Sequence, residues 1–215
     1  MKLSVSILDS NLLELGSELN AVVRAGADAI HLDVMDGHFV PNLSFGVPLA
    51  AAVRQAVRIP VHTHLMVREP GRMIPWFLAY SDMVGFHIET SAHVSEDLAL
   101  IHQAGKKASI SLNPDTPLEA LRPFLNQVED ILVMSVFPGR GGQEFIPTAL
   151  DRVRTLRSLL SATGSQALIS VDGGVNPSNC RQVAKAGADW LIAGSAIFRS
   201  DDYETVVQSL KCYSP

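Results

Sequence analysis

Two hydrophobic periods alternate along the chain. A short β-branched or aliphatic run gives way to a polar or glycine-rich loop, then to a stretch whose apolar residues recur at helical spacing. The sequence repeats this pattern eight times. The runs predict strands over Leu3–Leu8, Ala29–Val34, Val61–Met66, Met83–Ile88, Lys107–Leu112, Ile131–Val136, Ala167–Val171 and Trp190–Ala193. The amphipathic stretches predict helices near 11–25, 47–57, 72–80, 94–104, 117–125, 146–161, 178–186 and 203–211.

Punctuation supports these elements. Asp9, Ser10 or Asn11 can cap the first helix, Asn113 to Thr116 precede Pro117 at a helix start, and Asn176-Pro177-Ser178 opens the seventh helix. Gly26, Gly105 and Gly187 fall just past helix ends, where a left-handed residue is wanted. Ala25–Asp28 and Ala186–Asp189 share the tetrapeptide A-G-A-D between a helix and a strand, a trace of internal repetition.

Strict alternation with several wholly apolar strands means a parallel sheet covered by helices. Eight units in 215 residues favour a closed (β/α)₈ barrel, one domain over 1–215. An open doubly wound sheet would usually carry G-x-G-x-x-G after its first strand. This chain has Leu8-Asp9-Ser10-Asn11-Leu12 there.

Composition narrows the class. Hydrophobic residues make up 47% and charged residues 18%, as in a compact globular chain. No apolar run approaches the ~18 to 20 residues of a membrane helix. The first residues lack the pattern of a signal peptide, so a cytoplasmic protein with no membrane partner is expected. Cys180 and Cys212 form neither a disulfide framework nor a thiolate metal motif. A net charge of −5 without a basic run argues against nucleic acid as a partner, yet leaves room for one small anion held by backbone N–H groups.

Barrel chemistry sits at the carboxyl ends of the strands. Strand two ends His31-Leu32-Asp33-Val34-Met35-Asp36-Gly37, and the spacing puts His31 and Asp33 on one face. Strand three carries His62-Thr63-His64, and strand seven ends at Asp172-Gly173-Gly174. Imidazoles and carboxylates converging on one mouth suit a divalent metal ion such as Zn²⁺, Fe²⁺, Mn²⁺ or Co²⁺. Glycines crowd the late loops: Gly139, Gly141 and Gly142 with Gln143, then Gly173 and Gly174, then Gly194 before Ser195. Three neighbouring loops of this kind point to phosphate. Met35, Met66 and Met134 stand at strand ends and can fill core gaps or wall the site against water. His87 and Glu89 can line the mouth or serve structure, Asp36 fits a loop-fixing role, Gly37 to Asn42 fit a lid, and His93 and His102 fit a solvated helix face.

Several of these runs together resemble the ribulose-phosphate 3-epimerase family. They are His31 through Asn42, His64-Leu65-Met66-Val67, Pro138-Gly139 with Gly141-Gly142-Gln143, Val171 through Val175, and Gly194 through Phe198. The resemblance implies a metal-dependent isomerase of carbohydrate metabolism that exchanges D-ribulose 5-phosphate with D-xylulose 5-phosphate. It implies His31, Asp33, His64 and Asp172 as metal ligands, with Asp33 and Asp172 also the acid–base pair. Ser6 matches a substrate-contacting serine, while Gly141, Gly142, Gln143, Glu144, Gly173, Gly174, Gly194 and Ser195 fall to the phosphate. The family is commonly oligomeric. Four positions depart from the family: His62 replaces a usual Asp, Arg140 a usual Phe, Val5 a common Pro and Asp115 a common small residue.

The chemistry agrees with that assignment. Inverting a carbon beside a ketone needs a proton taken from one face and returned to the other, through a cis-enediolate stabilised by a cation. Strands two and seven flank strands one and eight, so their carboxylates can lie on opposite sides of a bound sugar. The alternatives are an epimerase for a hexulose phosphate such as D-allulose 6-phosphate, a phosphate-binding barrel without catalysis, and indole- or thiazole-forming barrel chemistry. The last lacks the His/Asp set.

Overall fold

A computed structural model of the chain describes residues 1–211; Cys212 lies outside the described residues. Eight parallel strands close into a barrel in the order β1 to β8, with β8 pairing back onto β1. They are β1 Lys2–Ser6, β2 Ala29–Met35, β3 Val61–Met66, β4 Met83–His87, β5 Lys107–Leu112, β6 Asp130–Met134, β7 Leu168–Asp172 and β8 Trp190–Ala193. The covering helices are α1 Leu15–Ala25, α2 Val47–Ala56, α3 Pro70–Phe77, α4 Val94–Gln103, α5 Ala149–Thr163, α6 Cys180–Ala186, α7 Ser195–Phe198 and α8 Tyr203–Lys211. The expected (β/α)₈ barrel is the fold, and β3, β5 and β8 have the boundaries that their apolar runs predict.

Differences are local and have causes. The expected helix near 117–125 is a 3₁₀ segment, Leu118–Phe124, with Pro123 inside it. Proline has no N–H to donate back along an α-helix, so the tighter, short-lived form is kept. The sixth amphipathic stretch becomes helical only at Ala149, after Pro147, and ends at Gly164 in the left-handed region. One turn of helix, α7, follows β8 directly and was hidden inside a loop too short to show a period.

The amino-terminal rim is held by a device used four times. Asp28, Asp82, Glu129 and Asp189 each precede an even-numbered strand. Each accepts the backbone N–H of a residue in the neighbouring odd-numbered strand: Leu3, Val61, Ala108 and Ile169, at 2.7–2.8 Å. Each is also paired with a basic side chain of the helix before that odd strand: Lys211, Arg54, His102 and Arg157. The A-G-A-D tetrapeptides are two of these four sites. Exposed ion pairs of this kind add little one by one. The carboxylate bonds matter more, because each satisfies a backbone N–H in the first or second residue of a strand, at the edge of the ladder.

Apolar side chains of the strands, such as Leu3, Val5, Ile30, Leu32, Val84 and Phe86, are fully buried in the main core cluster. The lumen is not wholly apolar. Below the mouth it holds Ser4, His62, Ser109, Asp130 and Ser170. Asp130, overlooked because its strand was expected to begin at Ile131, is 3% exposed. It accepts bonds from Ser109 Oγ at 2.7 Å and Ser170 Oγ at 2.6 Å. His62 packs edge-on against Trp190, 5.1 Å between ring centres, one layer below His64.

Burial pushes the Asp130 carboxyl up to about 6, although the two serine bonds oppose the shift. Because the folded value lies above the unfolded 3.8, the stability contributed by the protonated form is complete below that pH and is lost as pH rises through about 6. Asp130→Asn, which stays neutral, is therefore expected to gain on the native chain by on the order of 3 kcal/mol between pH 4 and pH 7. Denaturant unfolding of both proteins across that range measures the difference; a constant gap would remove Asp130 from the pH dependence.

Candidate active site

The alternation of β2 turns His31 and Asp33 to the same side, and register places Asp33 beside His64 of β3. Asp172 ends β7 across the mouth. One ligand atom from each of His31, Asp33, His64 and Asp172 lies within 4.8 Å of the others. Asp33 Oδ1 stands 3.3 Å from both His31 Nε2 and His64 Nδ1, while Asp172 Oδ2 stands 3.9 Å from the same two nitrogens. Ser6, at the end of β1, donates its hydroxyl to Asp33 Oδ2 at 2.6 Å and so fixes the carboxylate's orientation.

Electrostatics separate the two carboxyls. Burial pushes Asp172 upward and the charge of Asp33 pushes the same way, so Asp172 favours its protonated form. Burial also opposes a charge on Asp33, but the adjoining imidazoles outweigh it and hold Asp33 well below the ordinary carboxylate range. Asp33 and Asp172 in turn raise His31 against the effect of its burial. His64 is lowered to about 4 by burial, with its bond to Asp33 opposing.

These residues fit a divalent cation. His31 Nε2 is buried and makes no hydrogen bond, although carboxylate oxygens face it. Two carboxylates and two imidazoles in one buried cluster form the mixed N/O donor set of zinc and its neighbours in the first transition row.

Above the cluster opens a solvent-connected cavity. Its walls include Ser6, Asp33, Met35, Met66, Met134, Gly141, Gly142, Gln143, Asp172, Gly173, Gly174, Gly194 and Ser195. Glu144 is outside this lining; it is exposed, in an adjoining open depression with Phe137 and Ile146. Leu8, Asp9, Val136, Pro138 and Ile192 join the walls without a sequence signal for contact, and Arg140, one of the departures from the family, lies beside them. The apolar ones carry no local signal that separates them from core, and Asp9 was read only as a helix cap. Asp9 also pairs with Arg199 at 2.9 Å.

Close approach explains the glycines. A Cβ on Gly174, whose φ is +65°, would lie 2.5 Å from Phe145 N; one on Gly194 would lie 2.7 Å from Ser6 O. The loops therefore nest backbone against backbone, with α7 starting beside them. Its first N–H groups lack partners within the helix, as at any helix start. Asp36 has the loop-fixing part expected of it: its carboxylate accepts from the N–H groups of His38, Phe39 and Arg68 at 2.7–3.0 Å.

His87 was not assigned to the cluster, yet its Nε2 lies 2.9 Å from His64 Nε2. Its other nitrogen faces Glu89 Oε2 at 3.2 Å. Glu89 is lowered to about 2; burial opposes this, and the bonds from His87, Thr116 and the Asn113 N–H bring it about.

A family model described as the ribulose-phosphate 3 epimerase family matches residues 2–198. The chain belongs to the ribulose-phosphate 3-epimerase family. It is 41% identical over 208 residues to the ribulose-phosphate 3-epimerase of Escherichia coli K12, covering 96% of this chain and 92% of that one. The Bacillus subtilis ribulose-phosphate 3-epimerase is 38% identical over 213 residues, covering 98% of each. The chloroplastic ribulose-5-phosphate-3-epimerase of Arabidopsis thaliana is 42% identical over 211 residues, 97% of this chain and 75% of the plant protein. Among solved structures, a 3-hexulose-6-phosphate synthase aligns with a TM-score of 0.72 at 18% identity over 99% of both chains. The tryptophan synthase α-subunit of Pyrococcus furiosus aligns at 0.72 and 16%, over 99% of this chain and 98% of that one. These two share the barrel fold. No helix among the described residues is long and apolar enough to cross a membrane.

A cation that binds only the folded chain stabilises it by mass action. Zn²⁺ at 100 times its Kd is expected to add about 2.7 kcal/mol, a rise in Tm of roughly 5–10 °C for a chain of this size. His64→Ala should lose most of that rise. Thermal scans with and without Zn²⁺ measure it, and an equal rise in the variant would place the ion elsewhere.

Proposed function

We propose that this family member inverts C3 of a phosphorylated ketose, interconverting D-ribulose 5-phosphate and D-xylulose 5-phosphate. The observation that carries this reading is the pair of carboxyls at one barrel mouth, Asp33 and Asp172, whose surroundings push their proton affinities in opposite directions. In the metal-free cluster one carboxyl is held ionised and the other favours its proton, an asymmetry of the kind an acid–base pair uses. The curated relatives named above support the substrate.

His31, Asp33, His64 and Asp172 would hold a divalent metal ion. When bound, such an ion supplies positive charge against the negative charge that develops as C3 loses its proton. The chain's own groups do the rest. Asp33, on β2, takes the proton from one face of the sugar, and Asp172, on β7, delivers one to the other; the reverse reaction exchanges their roles. Ser6 holds the Asp33 carboxylate at 2.6 Å through Oδ2 and keeps it aimed. Met35, Met66 and Met134, each at most 4% exposed, wall the reacting carbon and exclude water that would quench the planar enediolate.

The phosphate end falls to the nested loops. Gly141, Gly142 and Gln143, Gly173 and Gly174, and Gly194 with Ser195 at the start of α7 all line the cavity, and their backbone N–H groups would hold the phosphate. Arg140 lines the same cavity, and a cationic side chain there can also serve a longer hexulose phosphate. That is the second reading.

The test is proton exchange in D₂O followed by NMR, with metal-loaded protein and D-ribulose 5-phosphate or D-allulose 6-phosphate. Deuterium at C3 and formation of D-xylulose 5-phosphate are expected; exchange with the hexulose phosphate alone would transfer the assignment to it. Exchange with neither would sink the epimerase reading. Asp172→Asn is expected to cost about 10³-fold in rate, with circular dichroism unchanged. Near-native turnover in that variant would take Asp172 out of the mechanism.

A further inference from the structure

Hydrogen bonds lead away from the metal cluster through β4 to a loop. His64 Nδ1 faces Asp33 and Asp172. Its Nε2 meets His87 Nε2 at 2.9 Å, with the two ring planes 22° apart. His87, the last residue of β4, is fully buried and turns Nδ1 to Glu89 Oε2 at 3.2 Å. Glu89 Oε1 accepts from Asn113 N at 2.7 Å and from the Thr116 hydroxyl. Arg152 ties that loop down by donating to the carbonyls of Asn113 and Thr116, at 3.1 and 2.7 Å.

The direction of this chain follows from its far end. Glu89 is an acceptor at both oxygens, so the proton between it and His87 belongs to His87 Nδ1. A neutral imidazole carries one N–H, which leaves His87 Nε2 as a lone pair. The proton in the contact between the rings must then sit on His64 Nε2. His64 Nδ1 lies 3.3 Å from Asp33 Oδ1 and is able to donate to it in the metal-free cluster. Once a cation takes that place Nδ1 is left unprotonated, with its lone pair directed at the space between Asp33 Oδ1 and Asp172 Oδ2. A lone pair facing two carboxylate oxygens is repulsive unless a cation lies among them, which is the requirement of a metal ligand.

We propose that Glu89, acting through His87, is a positioning residue that sets the tautomer of His64 and thereby presents Nδ1 to the metal. This rests on the metal-centre reading above and extends it two residues outward. Reversing the chain needs only a donor in place of the carboxylate. Glu89→Gln can turn its amide N–H₂ to His87 Nδ1, which shifts the His87 proton to Nε2 and that of His64 to Nδ1, closing the ligand position. His87→Gln works the other way: its amide N–H₂ can donate to Glu89 while its oxygen accepts from His64, so the original direction survives.

The test is Co²⁺ affinity by competition with a chelator, beside ¹⁵N NMR of the His64 ring nitrogens and the metal-free Tm of each variant. Glu89→Gln is expected to weaken Co²⁺ by about 10–100-fold, with the metal-free chain still unfolding cooperatively at a lowered Tm and the His64 proton moved to Nδ1. His87→Gln is expected to stay within a few-fold of the native affinity, whereas His87→Leu should fall with Glu89→Gln. Native-like affinity in Glu89→Gln, with Nε2 still protonated, would overturn the relay while leaving the metal centre standing. Failure of the unaltered chain to bind Co²⁺ would overturn both.

Discussion

Everything at the barrel mouth answers to one constraint: two carboxyl groups share a buried space, and both cannot be ionised there without a positive charge between them. Asp33 meets this by drawing on His31 and His64, and Asp172 by favouring its proton. The same imbalance makes the cluster receptive to a divalent ion, since a cation relieves the repulsion and uses the unbonded nitrogen of His31. Acid–base asymmetry and metal affinity thus come from a single arrangement of charge in a low-dielectric pocket.

The two ends of the barrel divide the work. At the amino-terminal rim, four acids of one geometric type close the strands onto each other and onto the helices. Repetition there costs nothing, because stability asks the same of each quarter. At the carboxyl rim the loops differ in what they do. One fixes itself through Asp36, one carries Glu89 toward His87, and three expose glycine backbone to a common cavity. This asymmetry gives the carboxyl rim a buried carboxylate–imidazole cluster and glycine-lined loops around one cavity.

Much was legible from the chain because its signals are local. Period-two runs separated by helical stretches dictate eight βα units, and the i, i+2 spacing of His31 and Asp33 dictates a shared face. Glycine-rich loops signal close backbone approach whatever the partner. The motif resemblance extended this to Ser6, His64 and Asp172 as one group, and they do converge. Where a local rule competed with another, the reading slipped. Pro123 turned a helical pattern into a 3₁₀ segment, and a strand start set one residue late concealed Asp130.

The sequence by itself determined the fold and the identity of the four clustered side chains, since periodicity and short motifs are properties of neighbouring residues. Only the tertiary structure decided how those groups are wired. That Asp33 is steered by Ser6, 27 positions away, and that Glu89 reaches His64 through His87 are facts of strand adjacency around a closed sheet. The four rim acids and the polar lumen around Asp130 belong to the same class. Each depends on which strand stands beside which and at what register, and barrel closure fixes that for all eight strands together.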